Sequence, residues 1–221
     1  MSHTLKLLQL NQITHDVYQF RTEKPDGYTF SPGQATELAL NKQGWKDEKR
    51  PFTFTSLPED PFLEFTIKSY PSHDGVTKQI AALKEGDEVI IDDAWGAIEY
   101  HGKGVFIAGG AGITPFISIF RKLEKENNVS GHQLYFANKT SKDVIMESYF
   151  RDLLGDNFIS VLADENSEKH KHGLIDYDFL KSEIGDFNQE FYVCGPNKMV
   201  EDISGHLKKL GANPDGITFE Q

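Results

Sequence analysis

Four short stretches of this chain carry residue types and spacings that could do chemistry. The first is Gly109-Gly110-Ala111-Gly112-Ile113-Thr114-Pro115. The apolar run Val105-Phe106-Ile107-Ala108 precedes it. A run with Phe116, Ile117, Ile119, Phe120 and Leu123 as its apolar positions follows. That order reads as strand, glycine turn and helix. Glycines let a backbone approach a ligand closely, and free N–H groups at a helix N-terminus favour an anion. A phosphate or pyrophosphate fits there, although a tight strand-to-helix turn explains the same residues. The second stretch, Asp74-Gly75-Val76-Thr77, opens a short helix and offers N-terminal N–H groups in the same way, or is a simple cap. The third and fourth are Arg50-Pro51-Phe52-Thr53 and Cys194-Gly195-Pro196. Arg50 on its own reads equally as a rim salt bridge, and Cys194 as a buried apolar residue at a strand end.

Cys194 is the only cysteine. It excludes an intramolecular disulfide, a four-Cys iron–sulfur cluster and a Cys-rich zinc site. Redox chemistry in this chain therefore needs a bound organic cofactor. His170 and His172 are close in sequence, but they lie in a lysine-flanked polar stretch with no adjacent third ligand, so a solvated loop is expected and no metal site.

Two kinds of element must position these residues. Up to about residue 100 the chain shows short strands separated by turn residues such as Lys24-Pro25-Asp26-Gly27 and Ser31-Pro32-Gly33-Gln34. Phe62 to Lys68 alternates, with Leu63, Phe65 and Ile67 on one face. The pattern predicts a six-stranded antiparallel β-barrel interrupted by one helix over Val76 to Leu83. From Gly104 onwards strands and helices alternate, which predicts a five-stranded parallel sheet with helices on both faces. Ala163 to His172 reads as a polar loop within it. The fold class is thus two-domain, β followed by α/β, with a barrel domain over residues 1–101 and an α/β domain over 102–221. Ligands of such parallel sheets bind beyond the carboxyl ends of the strands, at the switch point. The loops there with special chemistry are Gly109–Pro115 and Cys194–Pro196.

The formal net charge of −11 over 221 residues argues against nucleic acid and anionic membranes as partners. No apolar run reaches the ~20 residues needed to span a bilayer. The first residues, Met1 to Lys6, lack the apolar core of a signal peptide, so a cytoplasmic location is expected.

The four stretches, in the order Arg50-Pro51-Phe52-Thr53-Phe54-Thr55-Ser56, Gly75-Val76-Thr77, Gly110-Ala111-Gly112-Ile113-Thr114-Pro115 and Cys194-Gly195-Pro196-Asn197-Lys198-Met199, resemble the ferredoxin–NADP reductase superfamily across nearly the whole chain. The first looks like that family's Arg-x-Tyr-Ser-x-x-Ser flavin motif. The third is similar to its Gly-x-Gly-x-x-Pro loop, and the last to its Cys-Gly-Pro nicotinamide motif. The resemblance implies an FAD-binding barrel followed by an NAD(P)-binding domain without an iron–sulfur domain.

It also implies roles. Arg50 pairs with the flavin pyrophosphate, and Pro51 lies within the motif. Phe52 stands where the family usually has Tyr; it can stack on the isoalloxazine but cannot donate a phenolic hydrogen bond. Thr53 takes the position whose hydroxyl meets flavin N5. Lys68 and Ser69 line the pyrophosphate, and Gly75, Val76 and Thr77 cap it. Gly110, Gly112, Ile113, Thr114 and Pro115 form the loop that cradles the dinucleotide. Cys194, Gly195 and Pro196 shape the nicotinamide pocket. Glu220 aligns with an acidic residue near the nicotinamide, and Gln221 stands where relatives carry a covering aromatic. Trp95-Gly96 resembles a degraded Gly-Pro-Phe-Gly turn. Thr53, Cys194 and Glu220 are the residues expected at the reacting atoms.

The implied activity is hydride transfer from NADH or NADPH to FAD, with FMN poorly separated from it, and onward delivery of electrons to flavodoxin, ferredoxin or an oxygenase component. Ala163-Asp164-Glu165 would repel a 2′-phosphate and suits NADH, whereas Lys139 and Lys142 favour the opposite. Two alternatives stay open: a reductase that uses free flavin as substrate, and a non-catalytic flavin- or nucleotide-binding subunit of a larger complex.

Overall fold

The computed structural model describes residues 1–73, 75–96 and 98–219. It divides into two compact units. One comprises Met1–Glu99 with Thr114–Lys122, the other Tyr100–Ile113 with Leu123–Gln221.

In the first unit, β1 (His3–Gln12), β2 (Val17–Glu23), β3 (Ala35–Leu40), β4 (Arg50–Thr53), β5 (Phe62–Lys68) and β6 (Glu88–Ile91) form one antiparallel sheet in the order β4-β3-β6-β1-β2-β5. The sheet curls until its ends nearly meet. Just beyond β4, Phe54 bridges Phe65 of β5, and Thr55 N–H donates to the Glu64 carbonyl at 2.8 Å. The alternation in the sequence explains the filling: Leu38, Leu63, Phe65, Ile67 and Val89 point inwards, and Phe54 stacks on Phe30 at 4.3 Å. The helix α1 (Val76–Ile80) buries Val76 and Ile80 against this core. It is shorter than the Val76 to Leu83 expected, because the chain turns at Leu83 and Asp87, whose N–H groups reach back to Ile80 and Lys84.

Glu64 and Thr66, on the other face of β5, are also buried, at 0% and 4% exposure. Their cover is part of α2 (Thr114–Lys125), whose residues 114–122 group with the barrel. Gly33 N–H donates to Ser118 Oγ at 3.0 Å, and Arg121 reaches Glu64.

The second unit contains β7 (Gly104–Gly109), β8 (Gln133–Asn138), β9 (Phe158–Leu162), β10 (Lys171–His172), β11 (Glu190–Cys194) and β12 (Ile217–Phe219). All pair in parallel, in the order β10-β9-β8-β7-β11-β12. The sixth strand, beyond the five expected, is β10. Its two exposed residues have no apolar alternation, so only its pairing with Val161 and Leu162 identifies it. The helices α4 (Tyr177–Glu183) and α5 (Asn197–Lys209) cover one face, with Leu180, Ile203 and Leu207 against Val105, Ile107, Phe191 and Val193. On the other face α3 (Glu147–Leu154) sets Phe150 against Phe158. β7 is buried along its full length, as expected of the central strand of a doubly covered sheet.

The amino ends of this sheet are tied by a polar cluster. Tyr192 OH accepts the N–H groups of His101 and Gly102 and donates to the Gly102 carbonyl, each at 2.9 Å. His132, buried, has Nδ1 at 2.8 Å from the Val129 carbonyl, which can only accept. Nδ1 therefore carries the proton, and Nε2 is left to accept from Tyr100 OH at 2.9 Å. Among the described residues no helix is long and apolar enough to cross a membrane.

Candidate functional site

In the second unit the chain order reverses between β7 and β11, and the loops after these two strands are the glycine turn and Cys194-Gly195-Pro196. Ligands of open α/β sheets bind at such a place. The glycine turn is a single 3₁₀ turn, Gly110–Ile113, that runs straight into α2. It lies back to back with the other loop. A Cβ on Gly112 would stand 2.6 Å from Gly195 N, and closer still to the Cys194 carbonyl oxygen. No side chain fits between them, so Gly112 is a packing requirement. Gly110 has φ +52°, and a Cβ there would meet nothing within 4 Å, so the turn presents open space on that side.

The other members of the loop divide by burial. Ile113, Pro115 and Cys194 are buried, and can offer only backbone groups or shape to a ligand. Thr114 and Gly195 are half-buried, and Pro196 is exposed. Pro196 also caps α5, a 13-residue helix with no acidic residue in its first turn and no side chain on its N-terminal N–H groups. An anion is therefore the favoured neighbour of that helix end. Expected members of one loop cluster thus do converge: Gly110, Gly112, Cys194, Gly195 and Pro196 share the carboxyl edge of β7 and β11.

One residue at this edge, Asn138, had no signal of its own in the sequence, and Glu165, expected at the rim, has a partner the sequence did not show. Asn138 ends β8 in register with Leu162, and its side-chain oxygen and nitrogen are buried with no hydrogen-bond partner among the described residues. Glu165 accepts the N–H of Ser141 at 2.8 Å and its hydroxyl at 3.0 Å. Those two bonds, the backbone one first, hold the Glu165 carboxyl below its ordinary value. Asp164 N–H donates to the Lys139 carbonyl at 2.9 Å, so the rim loops after β8 and β9 are laced together.

In the first unit the flavin-motif residues occupy β4. Phe52 pairs with Thr36 and leans on the barrel core, while Thr53, paired with Ala35, faces outwards at 7% exposure. Arg50 is half-exposed. Its guanidinium donates to the Lys49 carbonyl at 2.6 Å and sits 3.4 Å from Glu48. Lys68 ends β5 with Nζ 3.0 Å from Asp16 Oδ2, and Ser69 N–H donates to the Asp16 carbonyl at 2.7 Å. Ser69 Oγ is buried and has no hydrogen-bond partner among the described residues. Gly75 caps α1 with open space where a Cβ would go. Val76 turns its side chain into the core, and Thr77 is half-buried. Glu220 and Gln221 lie outside the described residues.

Residues 106–205 match the oxidoreductase NAD-binding domain family. The reductase component, ferredoxin–NAD(P)+, of a naphthalene 1,2-dioxygenase system from Pseudomonas putida is 25% identical over 92% of the chain and 64% of its own length. NADH-cytochrome b5 reductase 2 of Coccidioides immitis is 29% identical over 96% of the chain and 75% of its own length. The flavohem-like FAD/NAD-binding domain of nitric oxide dioxygenase from Vibrio cholerae O1 biovar El Tor superposes with a TM-score of 0.87 at 21% identity, covering 98% of the chain and 97% of that domain. These matches in sequence and fold support the ferredoxin–NADP reductase superfamily. The chain has the barrel and the parallel sheet in the expected order, and it spans under two thirds of the length of the dioxygenase reductase component.

Proposed function

We propose that this protein is a flavin-dependent oxidoreductase that takes hydride from a nicotinamide dinucleotide and passes the electrons to a separate acceptor. The barrel, residues 1–101, is the flavin domain in this reading, and residues 102–221 bind the nicotinamide nucleotide. The observation that carries it is the contact of Gly112 with Cys194 and Gly195, which makes one backbone-lined anion edge from two distant stretches. The flavin assignment has its own support. Ser69 Oγ is a buried hydroxyl in need of a partner, in the residue that follows Lys68, and Thr53 sits on the strand that carries Arg50. These groups suit a phosphate and a polar ring edge.

When bound, flavin supplies a carrier that accepts an electron pair and releases electrons singly. The chain's own residues do the rest. Arg50, Lys68 and Ser69 hold the phosphates. Thr53 offers its hydroxyl at the reacting edge. Gly110, Gly112 and the N–H groups of Thr114 and α5 hold the dinucleotide, and Cys194 with Gly195 shapes the nicotinamide end. Two of the relatives above are reductases named for a ferredoxin and for cytochrome b5. A one-electron protein acceptor is proposed here on that basis.

NADH is the proposed donor. Ser141, whose N–H and hydroxyl stand ready for an anion, already holds the Glu165 carboxylate, and a 2′-phosphate at this rim would meet that negative charge.

A second reading, flavin as a dissociable substrate, is favoured by one feature. Both cations proposed for the flavin phosphates are paired with carboxylates of the chain, Arg50 with Glu48 and Lys68 with Asp16. The test of both is a visible spectrum after gel filtration, followed by NADH oxidation with ferricyanide with and without added FAD or FMN. A retained yellow colour with turnover supports a bound cofactor. A colourless protein whose rate saturates with added flavin supports the substrate reading. Absence of turnover under every condition overturns both.

A further inference from the structure

Asp16 lies on the turn between β1 and β2, closed by Ile13 N–H to the Val17 carbonyl at 2.9 Å. It touches two consecutive residues at the end of β5 with two different groups. Its carbonyl accepts Ser69 N–H at 2.7 Å, and its Oδ2 stands 3.0 Å from Lys68 Nζ. Thr14 Oγ1 donates to the remaining oxygen, Oδ1, at 3.2 Å, and His15 Nε2 is 3.5 Å from Oδ2. The pair is mostly shielded, with 18% of the Asp16 side chain and 22% of that of Lys68 exposed. The same Ser69 whose N–H is held by Asp16 carries a buried hydroxyl with no hydrogen-bond partner among the described residues.

The turn therefore does two separable things. Through its main chain it fixes where Ser69 sits. Through its carboxylate it pairs with the Lys68 ammonium at this strand end. A phosphate arriving at Lys68 meets the Asp16 carboxylate as a competitor for the ammonium.

We propose that Asp16 sets the flavin affinity of this protein, as a resident counter-ion that the flavin phosphate must displace from Lys68. The inference rests on the reading that flavin phosphates bind at the end of β5, and it adds a residue outside the flavin motif that governs how tightly they are held. Displacement costs the protein a shielded ion pair and returns a charge-assisted bond of the same kind, so the exchange is close to balanced. With a neutral amide at position 16, the main-chain bond to Ser69 and an acceptor for Lys68 both remain, but the charge of Asp16 is gone.

The experiment uses three ligands on the whole chain: riboflavin, FMN and FAD, titrated by flavin fluorescence. Asp16→Asn is expected to tighten FMN and FAD about tenfold, to leave riboflavin unchanged, and to make FMN binding more sensitive to salt. Asp16→Glu restores the charge and is expected to return FMN affinity to that of the wild type. A thermal melt of each variant checks that the fold is kept, since a general loosening would weaken all three ligands together. Equal effects on riboflavin and FMN, or no gain for FMN in Asp16→Asn, would overturn the inference while leaving the flavin site standing. Failure of all three flavins to bind the wild type, with NADH still bound, would overturn the flavin reading itself.

Discussion

Glu64 Oε1 accepts the Nη1–H of Arg121 at 2.6 Å inside the first unit, and the carboxylate is wholly shielded from solvent. The same oxygen accepts Thr55 Oγ1 at 3.0 Å, and Oε2 accepts Arg21 Nε at 2.9 Å. Arg121 also donates to the Thr55 carbonyl at 2.5 Å. One buried acid thus joins two strands, Thr55 just beyond β4, and the helix that leaves the glycine turn. Removing one member of such a cluster strands the others, at about 3–5 kcal/mol for full burial. Arg21 is 41% exposed and Arg121 22%, which places this case at the lower end. Glu64→Ala should cost about 3 kcal/mol in urea denaturation. Glu64→Leu combined with Arg121→Leu should recover part of that loss, because no shielded charge is then left alone.

Gly112→Ala should separate the two turns at the carboxyl edge. The added methyl has no room beside Gly195 N and the Cys194 carbonyl, and both obstacles are backbone. The KM for NADH is expected to rise at least about tenfold, from displacement of the loop by a fraction of an ångström. Flavin affinity, measured separately, should stay as it was. Unchanged KM would mean that the dinucleotide does not use this edge.

Burial pushes the Tyr192 hydroxyl up from 10.0 to about 12. A group whose folded value is raised stabilises the fold fully below the unfolded value and loses that contribution as pH climbs through the folded one. Melting temperature should therefore decline between pH 10 and about 12. Tyr192→Phe removes its share of this decline. It also leaves the N–H groups of His101 and Gly102 without their acceptor, so at neutral pH it should cost about 1–3 kcal/mol. The acid side has a counterpart in His132, whose value burial holds below 6.5. The unfolded chain binds that proton more readily, so stability should fall as pH drops below about 6.5, and His132→Gln should flatten that limb in a pH series of melts.

Glu165→Gln should raise the ratio of kcat/KM for NADPH over NADH by roughly tenfold, by removing one negative charge from the rim while keeping an acceptor for Ser141. Steady-state rates with both nucleotides decide it. An unaltered ratio would place the adenosine ribose elsewhere.

Much of this was legible in the sequence because local pattern and global fold agree. Val105 to Ala108 reads as a buried strand and is one; Leu63, Phe65 and Ile67 point into the barrel as their alternation requires. The glycine turn and Cys194-Gly195-Pro196 are visible as motifs, but nothing in their spacing says that Gly112 and Gly195 touch, since the contact depends on β7 and β11 being neighbours. The Glu64 cluster was hidden for a different reason. An acid within an alternating strand looks like a solvent-facing residue until α2 is known to cover that face. Strand β10 was missed because an edge of two charged or polar residues carries no apolar period. Asp16 gave no warning either, being one polar residue in a polar turn.

The nine residues of α2 that group with the barrel bear on how this chain is to be dissected in the laboratory. A fragment ending at residue 101 would present Glu64 without Arg121 and the Gly33 amide without Ser118, and the complementary fragment would carry the lost cover as a loose, apolar helix start. Neither piece is a ready-made expression unit. A stable barrel has to import residues 114–122, grafted or supplied in trans.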